Sequence, residues 1–113
     1  MATPLRLQIL LFQNRPGNWV ARSLEHEFVA EAPSPIRAHQ SLLRLVRAHL
    51  EFDQRHHVEP LSSFRPAPRS YWRAFAQAVV MTSGFAQDDA GWGDVPVEII
   101  AAVIQEYPPP DLG

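Results

Sequence analysis

Three glutamates, Glu25, Glu27 and Glu31, bracket His26 in the segment GNWVARSLEHEFVAE, and they are the first residues here whose types and spacing suggest chemistry. On an extended strand side chains alternate with period two, so the three carboxylates share one face and His26 projects from the other. Clustered carboxylates are what a metal-dependent nuclease uses to hold two Mg²⁺ ions. Such a centre draws acids from several strands, yet the preceding alternating stretch, Leu5 to Gln13, contains none. An acidic outer face, open to water or to a basic partner, explains the spacing without a metal. Its position opposite the acids removes His26 from any Glu-His-Glu relay, and it reads as a half-buried histidine bonded to backbone.

The remaining reactive side chains lead to the same place. His56 and His57 are adjacent, so they point apart; even with His49 they fall short of the four ligands of a closed zinc site. A position after a helix explains them, because imidazolium is favoured at a helix C-terminus. The chain has no cysteine, which excludes a disulfide framework, thiolate ligands and a cysteine nucleophile. Ser62 and Ser63 lie among prolines with no nucleophile motif around them, and GWGD is too short for a phosphate-binding loop. The sequence therefore predicts a protein that is not an enzyme, with no catalytic residue, metal or cofactor. Trp92, in the loop TSGFAQDDAGWGD, is the aromatic expected at the surface or against another chain.

A chain of 113 residues suits one domain, residues 1–113, and 46% apolar residues suit a single core. A net charge of −2 gives no bulk attraction to nucleic acid. All ten basic residues are arginine, which together with eleven prolines and abundant alanine reads as GC-rich coding rather than a phosphate-binding surface. No apolar run approaches the length of a membrane span, and Met1 to Arg6 lacks the pattern of a signal peptide, so a cytoplasmic protein is expected.

The elements that must position these residues follow from periodicity. Leu5, Leu7, Ile9 and Leu11 share one face of a strand, with Arg6, Gln8, Leu10 and Phe12 on the other. Pro16-Gly17 turns the chain through a loop of about five residues into a second strand from Trp19 to Leu24, and Phe28 to Ala30 supplies a third. Ser34 caps a helix opened by Pro35 and running to Leu50, with Ile36, Leu43, Val46 and Leu50 as an apolar stripe widened by Leu42 and Leu45. A second helix, Arg69 to Met81, carries Tyr71, Phe75 and Val79 every four residues. Residues 95–104 are open between strand and helix; Pro96 and β-branched enrichment favour strand. Residues 105–113 form an extended tail. The fold class is thus α+β: a small antiparallel sheet in a β-β-β-α core over residues 5–50, with the second helix and terminal strand over 68–104.

This order resembles the N-terminal domain of bacterial HicB-like antitoxins, in the short stand-alone form. Trp19, Val20 and Ala21 match the W-V-A of that family's second strand, Ser34 its helix-opening hydroxyl, and Ala38 an alanine near the start of the helix. PAPRSYWRAF and VPVEII match the short subfamily further along. The family's P-G-C before the third strand is replaced here by LEHEF, and no helix-turn-helix or ribbon-helix-helix pattern follows. The resemblance implies a truncated ribonuclease H-like fold and a non-enzymatic protein-binding role in a toxin–antitoxin system. It further implies a homodimer, a small basic toxin-like partner met by Glu25, Glu27 and Glu31, and no direct contact with nucleic acid or membrane. A stand-alone structural oligomer is the alternative, with a metal-dependent nuclease behind it. An exposed edge on the leucine-rich first strand would be the natural site of dimerisation.

Overall fold

The computed structural model describes residues 5–85, 96–110 and 112, with 82–85 described through their backbone alone. The described chain is α+β, with a five-stranded sheet and two helices in the order β1 (Leu5–Arg15), β2 (Asn18–Ser23), β3 (Val29–Ala32), α1 (Pro35–Arg55), α2 (Arg69–Gln77), β4 (Val79–Phe85) and β5 (Val97–Val103). The spatial order of the strands is β3-β2-β1-β5-β4.

β1 is the spine of the molecule because its alternation is apolar on both faces over most of its length. Leu7, Ile9 and Leu11 are buried beneath α1 with Ala38, Leu42, Val46 and Leu50, whereas Leu10 and Phe12 are buried on the other face with Val20, Ala74 and Ile104. A strand buried on both faces needs neighbours along both edges. β2 occupies one edge, antiparallel, and β5 the other, parallel, with Leu5 opposite Val97 and Leu11 opposite Val103. The sheet is therefore mixed, not antiparallel as the local patterns suggest. The long excursion through both helices returns the chain to run β5 alongside β1 in the same direction. The same placement removes the leucine-rich strand from the edge of the sheet, so it is not a dimerisation surface.

The hairpin is tighter than the expected five-residue loop. Pairing continues to Arg15 opposite Asn18, so Pro16 and Gly17 alone make the turn. Gly17 has φ +80°, a left-handed value that glycine adopts without Cβ strain. Ser34 caps α1 as expected, its Oγ accepting from the Arg37 N–H at 3.2 Å. The helix then passes the expected end at Leu50 by more than a turn. Asp53, buried in that added turn, accepts from the Leu61 N–H at 2.8 Å and so anchors the following connector. The buried stripe is Ala38, Leu42, Val46 and Leu50; Ile36 and Leu45, assigned to the core from periodicity, are exposed.

α2 covers the opposite face through Tyr71, Ala74 and Phe75. It stops at Gln77, four residues short of expectation, because Ala78 turns extended (ψ 162°) and Val79, Val80 and Met81 enter a strand. β4 continues to Phe85 through part of what reads as a loop, and it pairs antiparallel with β5. Residues 97–103 are a strand, as their β-branched content favours. Among the described residues no helix is long and apolar enough to cross a membrane.

Candidate protein-binding edges

The three glutamates do not share a strand face. β2 ends at Ser23, and residues 24–28 form a tight bend before β3 begins at Val29. Buried Ser23 organises that bend: its hydroxyl donates to the His26 carbonyl and accepts from the Phe28 N–H at 2.9 Å. The bend is tied to the rest of the fold by three main-chain bonds. Leu24 N–H donates to the Gln8 carbonyl (2.9 Å), Ala67 N–H to the Leu24 carbonyl (2.7 Å), and Glu27 N–H to the Arg65 carbonyl (2.9 Å).

Each carboxylate has its own partner. Glu25 accepts from the Gln8 backbone N–H at 2.8 Å through one oxygen and from Gln8 Nε2 at 2.7 Å through the other, which fastens the bend to β1. Glu27 forms an ion pair with Arg22, whose guanidinium also lies over the Tyr71 ring, 4.3 Å from its centroid. Glu31 is exposed on β3, with one oxygen accepting from Asn18 Nδ2 at 2.8 Å. Among the described residues no group of three His, Cys, Asp or Glu side chains stands close enough to hold a metal ion.

The histidines divide in the same way. His56 follows the last residue of α1, where its Nδ1 lies 2.9 Å from the Phe52 carbonyl and its ring stacks on Phe52 at 4.1 Å. His57 adopts φ 54° as the helix ends. His49 is exposed, with its ring edge-on to Phe64 and beside Phe28, apart from the pair that follows the helix. His26 is half-buried as expected, although its Nδ1 has no hydrogen-bond partner. Trp92 lies outside the described residues.

With no catalytic cluster in view, the open chemistry of the described molecule lies at the two ends of the sheet. β3 is one edge. It is four residues long, with Val29 and Glu31 exposed, Ala30 buried and α1 packed across its inner face. β4 is the other edge. Val79 and Val80 are 61% and 57% exposed, and Met81 is exposed beside them. The register slips between Val80 and Thr82, which makes Met81 the extra residue of a β-bulge. Met81 lies over an apolar hollow of about 240 Å³ lined by Leu11, Ile36, His39, Gln40 and Ala101. Burial pushes the pKa of His39 below its ordinary value of 6.5.

Val79, Val80, Met81, Ile36 and His39 were not singled out by motif or charge. The available signal was local: the β-branched pair Val79-Val80, whose first member also fits the helical spacing of Tyr71 and Phe75. Comparison with protein-family models, with curated proteins and with solved structures returned no match.

Proposed function

We propose that this chain is a non-enzymatic protein-binding module of the HicB-like antitoxin type, masking a small basic, RNA-cleaving partner by surface contact. Glu31 carries this reading: an exposed carboxylate on an edge strand with an outer side unpaired among the described residues. A basic partner offering an extended segment gains main-chain hydrogen bonds from β3 and a charge pair with Glu31. Glu25 and Glu27 add negative charge in the bend leading into β3, while their internal partners keep it rigid. Trp92 is the aromatic anchor proposed from its sequence context.

The family relationship and the truncated ribonuclease H-like core belong to the same proposal. Their support is the β-β-β-α order, with Trp19, Val20 and Ala21 in β2, Ser34 at the helix cap and Ala38 on the buried face of α1. The cytoplasm, where such a partner would be made, is the compartment that fits.

The test is affinity capture of the tagged protein from its native lysate, followed by an RNA-cleavage assay on whatever is retained. A small basic protein is expected at near-equal amounts, its cleavage of RNA suppressed by the wild-type chain. Glu31→Arg should lose both capture and suppression while the circular dichroism spectrum stays unchanged. Recovery of no basic protein, or full suppression by Glu31→Arg, overturns the proposal.

A further inference from the structure

Beyond the two ends of the sheet, a third open surface lies on α1. We propose that one flank of this helix docks an acidic amphipathic helix of a partner protein, which seats an apolar side chain over Ala48 and sets its carboxylates against a row of arginines. Leu45, Ala48, His49 and Phe52 are all exposed, and they occupy positions i, i+3, i+4 and i+7 of the helix. Four residues at that spacing frame the hole in which one helix receives a side chain of another. Here the frame holds an apolar hollow of about 270 Å³ lined by Ala48, His49 and Phe52. Leu45 and Phe52, 41% and 54% exposed, stand about a turn away on either side of the small Ala48. His56 stacks on Phe52 and extends the stripe by one more turn.

Charge selects the partner. Arg37, Arg44, Ala48 and Arg55 follow one another at two turns, one turn and two turns, so three arginines share the line of the hollow over about 27 Å. Among the described residues no ion pair engages Arg37 or Arg44. Of the two acids on α1, Asp53 is buried and bonded to the Leu61 N–H, and Glu51 lies 3.8 Å from Arg55. The flank is thus positive on a chain of net charge −2. It complements a helix that carries glutamate or aspartate beside its apolar stripe. A nucleic-acid strand fits less well, because it is held by a continuous basic groove with flat stacking platforms. This row is interrupted by Glu51 and centred on an apolar hollow.

The surface is separate from both sheet ends. Leu45 and Ala48 each come nine residues after Ile36 and His39, a half-turn around the helix, so they lie on the side of α1 away from the hollow beside Met81. Glu31 alternates away from α1, because its neighbours Ala30 and Ala32 pack into the core beneath that helix. Docking of an acidic helix on α1 is therefore independent of the antitoxin reading, which assigns a basic partner to β3.

The experiment titrates the full chain, isotope-labelled for NMR, with three probes. One is a synthetic helix as long as α1 with a leucine stripe flanked by glutamates, the second is the same helix flanked by lysines, and the third is single-stranded polyuridine. The glutamate helix is expected to bind with amide shifts confined to the flank from Arg37 to His56, and the lysine helix to bind about tenfold more weakly or less. Ala48→Gln fills the hollow with a good helix former and should weaken the glutamate helix about tenfold. The exposure of Ala48 predicts an unchanged circular dichroism spectrum. Arg44→Glu should narrow the preference between the two helices. Equal binding of both helices, binding that Ala48→Gln leaves unweakened, or no binding of the glutamate helix at millimolar concentration overturns the proposal. Polyuridine bound in preference to the glutamate helix overturns it as well and assigns the arginine row to nucleic acid.

Discussion

β3 and β4 close the two ends of one sheet by opposite means. β3 is short, carries an exposed glutamate and lies under α1, which packs across β1, β2 and β3. β4 is nearly twice as long, carries no charge, and exposes Val79, Val80 and Met81 at a margin that α1 does not cover. Edge strands are kept from uncontrolled pairing by brevity, charge and cover. β3 has all three, whereas among the described residues β4 shows a bulge. The difference separates two surfaces: β3 presents an exposed carboxylate at its edge, and β4 an uncharged, apolar margin.

The largest effect should come from removing the cover of β3. Leu42 is fully buried between α1 and the sheet, and Leu42→Ala should cost about 2–5 kcal/mol of unfolding free energy. Chemical denaturation measures it, and a loss under about 1 kcal/mol would mean that α1 does not hold that edge. Next comes the bend that delivers β3. Ser23→Ala strands the Phe28 N–H in a buried site and should cost about 1–3 kcal/mol, again read from the denaturation midpoint. If stability is unchanged, the bend is held by its main-chain bonds to Gln8, Arg65 and Ala67 alone.

The smallest effect distinguishes the β4 side. His39 resists protonation in the folded state because burial penalises its charged form. Below pH 6.5 the unfolded chain binds this proton more readily, so stability is complete above 6.5 and declines as pH falls through the lowered folded value. His39→Gln should flatten that part of the profile, whereas Glu31→Gln on the opposite edge should leave it intact. Denaturation midpoints measured at a series of pH values compare the two variants directly.

Some features were legible because they are local. The alternation of β1, the proline-glycine turn and the serine cap all follow from residues within one element. Tyr71 and Phe75, four residues apart on α2, pack together against the second core for the same reason. Other features depended on chain segments far apart. The period-two reading of Glu25, Glu27 and Glu31 failed because Ser23 ends the strand with hydrogen bonds inside a bend, which alternation cannot register. Helical spacing carried α2 too far because Val79 fits both periods, and pairing with Val103 decided for the strand.

The sequence by itself determined the α+β class, the hairpin and capped helix, and the absence of thiol chemistry, since each rests on composition or short-range periodicity. Tertiary structure alone decided that β5 lies parallel beside β1 and that β4 becomes an end strand of the sheet. It also decided that each of the three glutamates finds a different partner within the fold. Strand neighbours are chosen by the burial of whole faces and by main-chain hydrogen bonds between distant residues, and neither quantity is written in any one stretch of the chain.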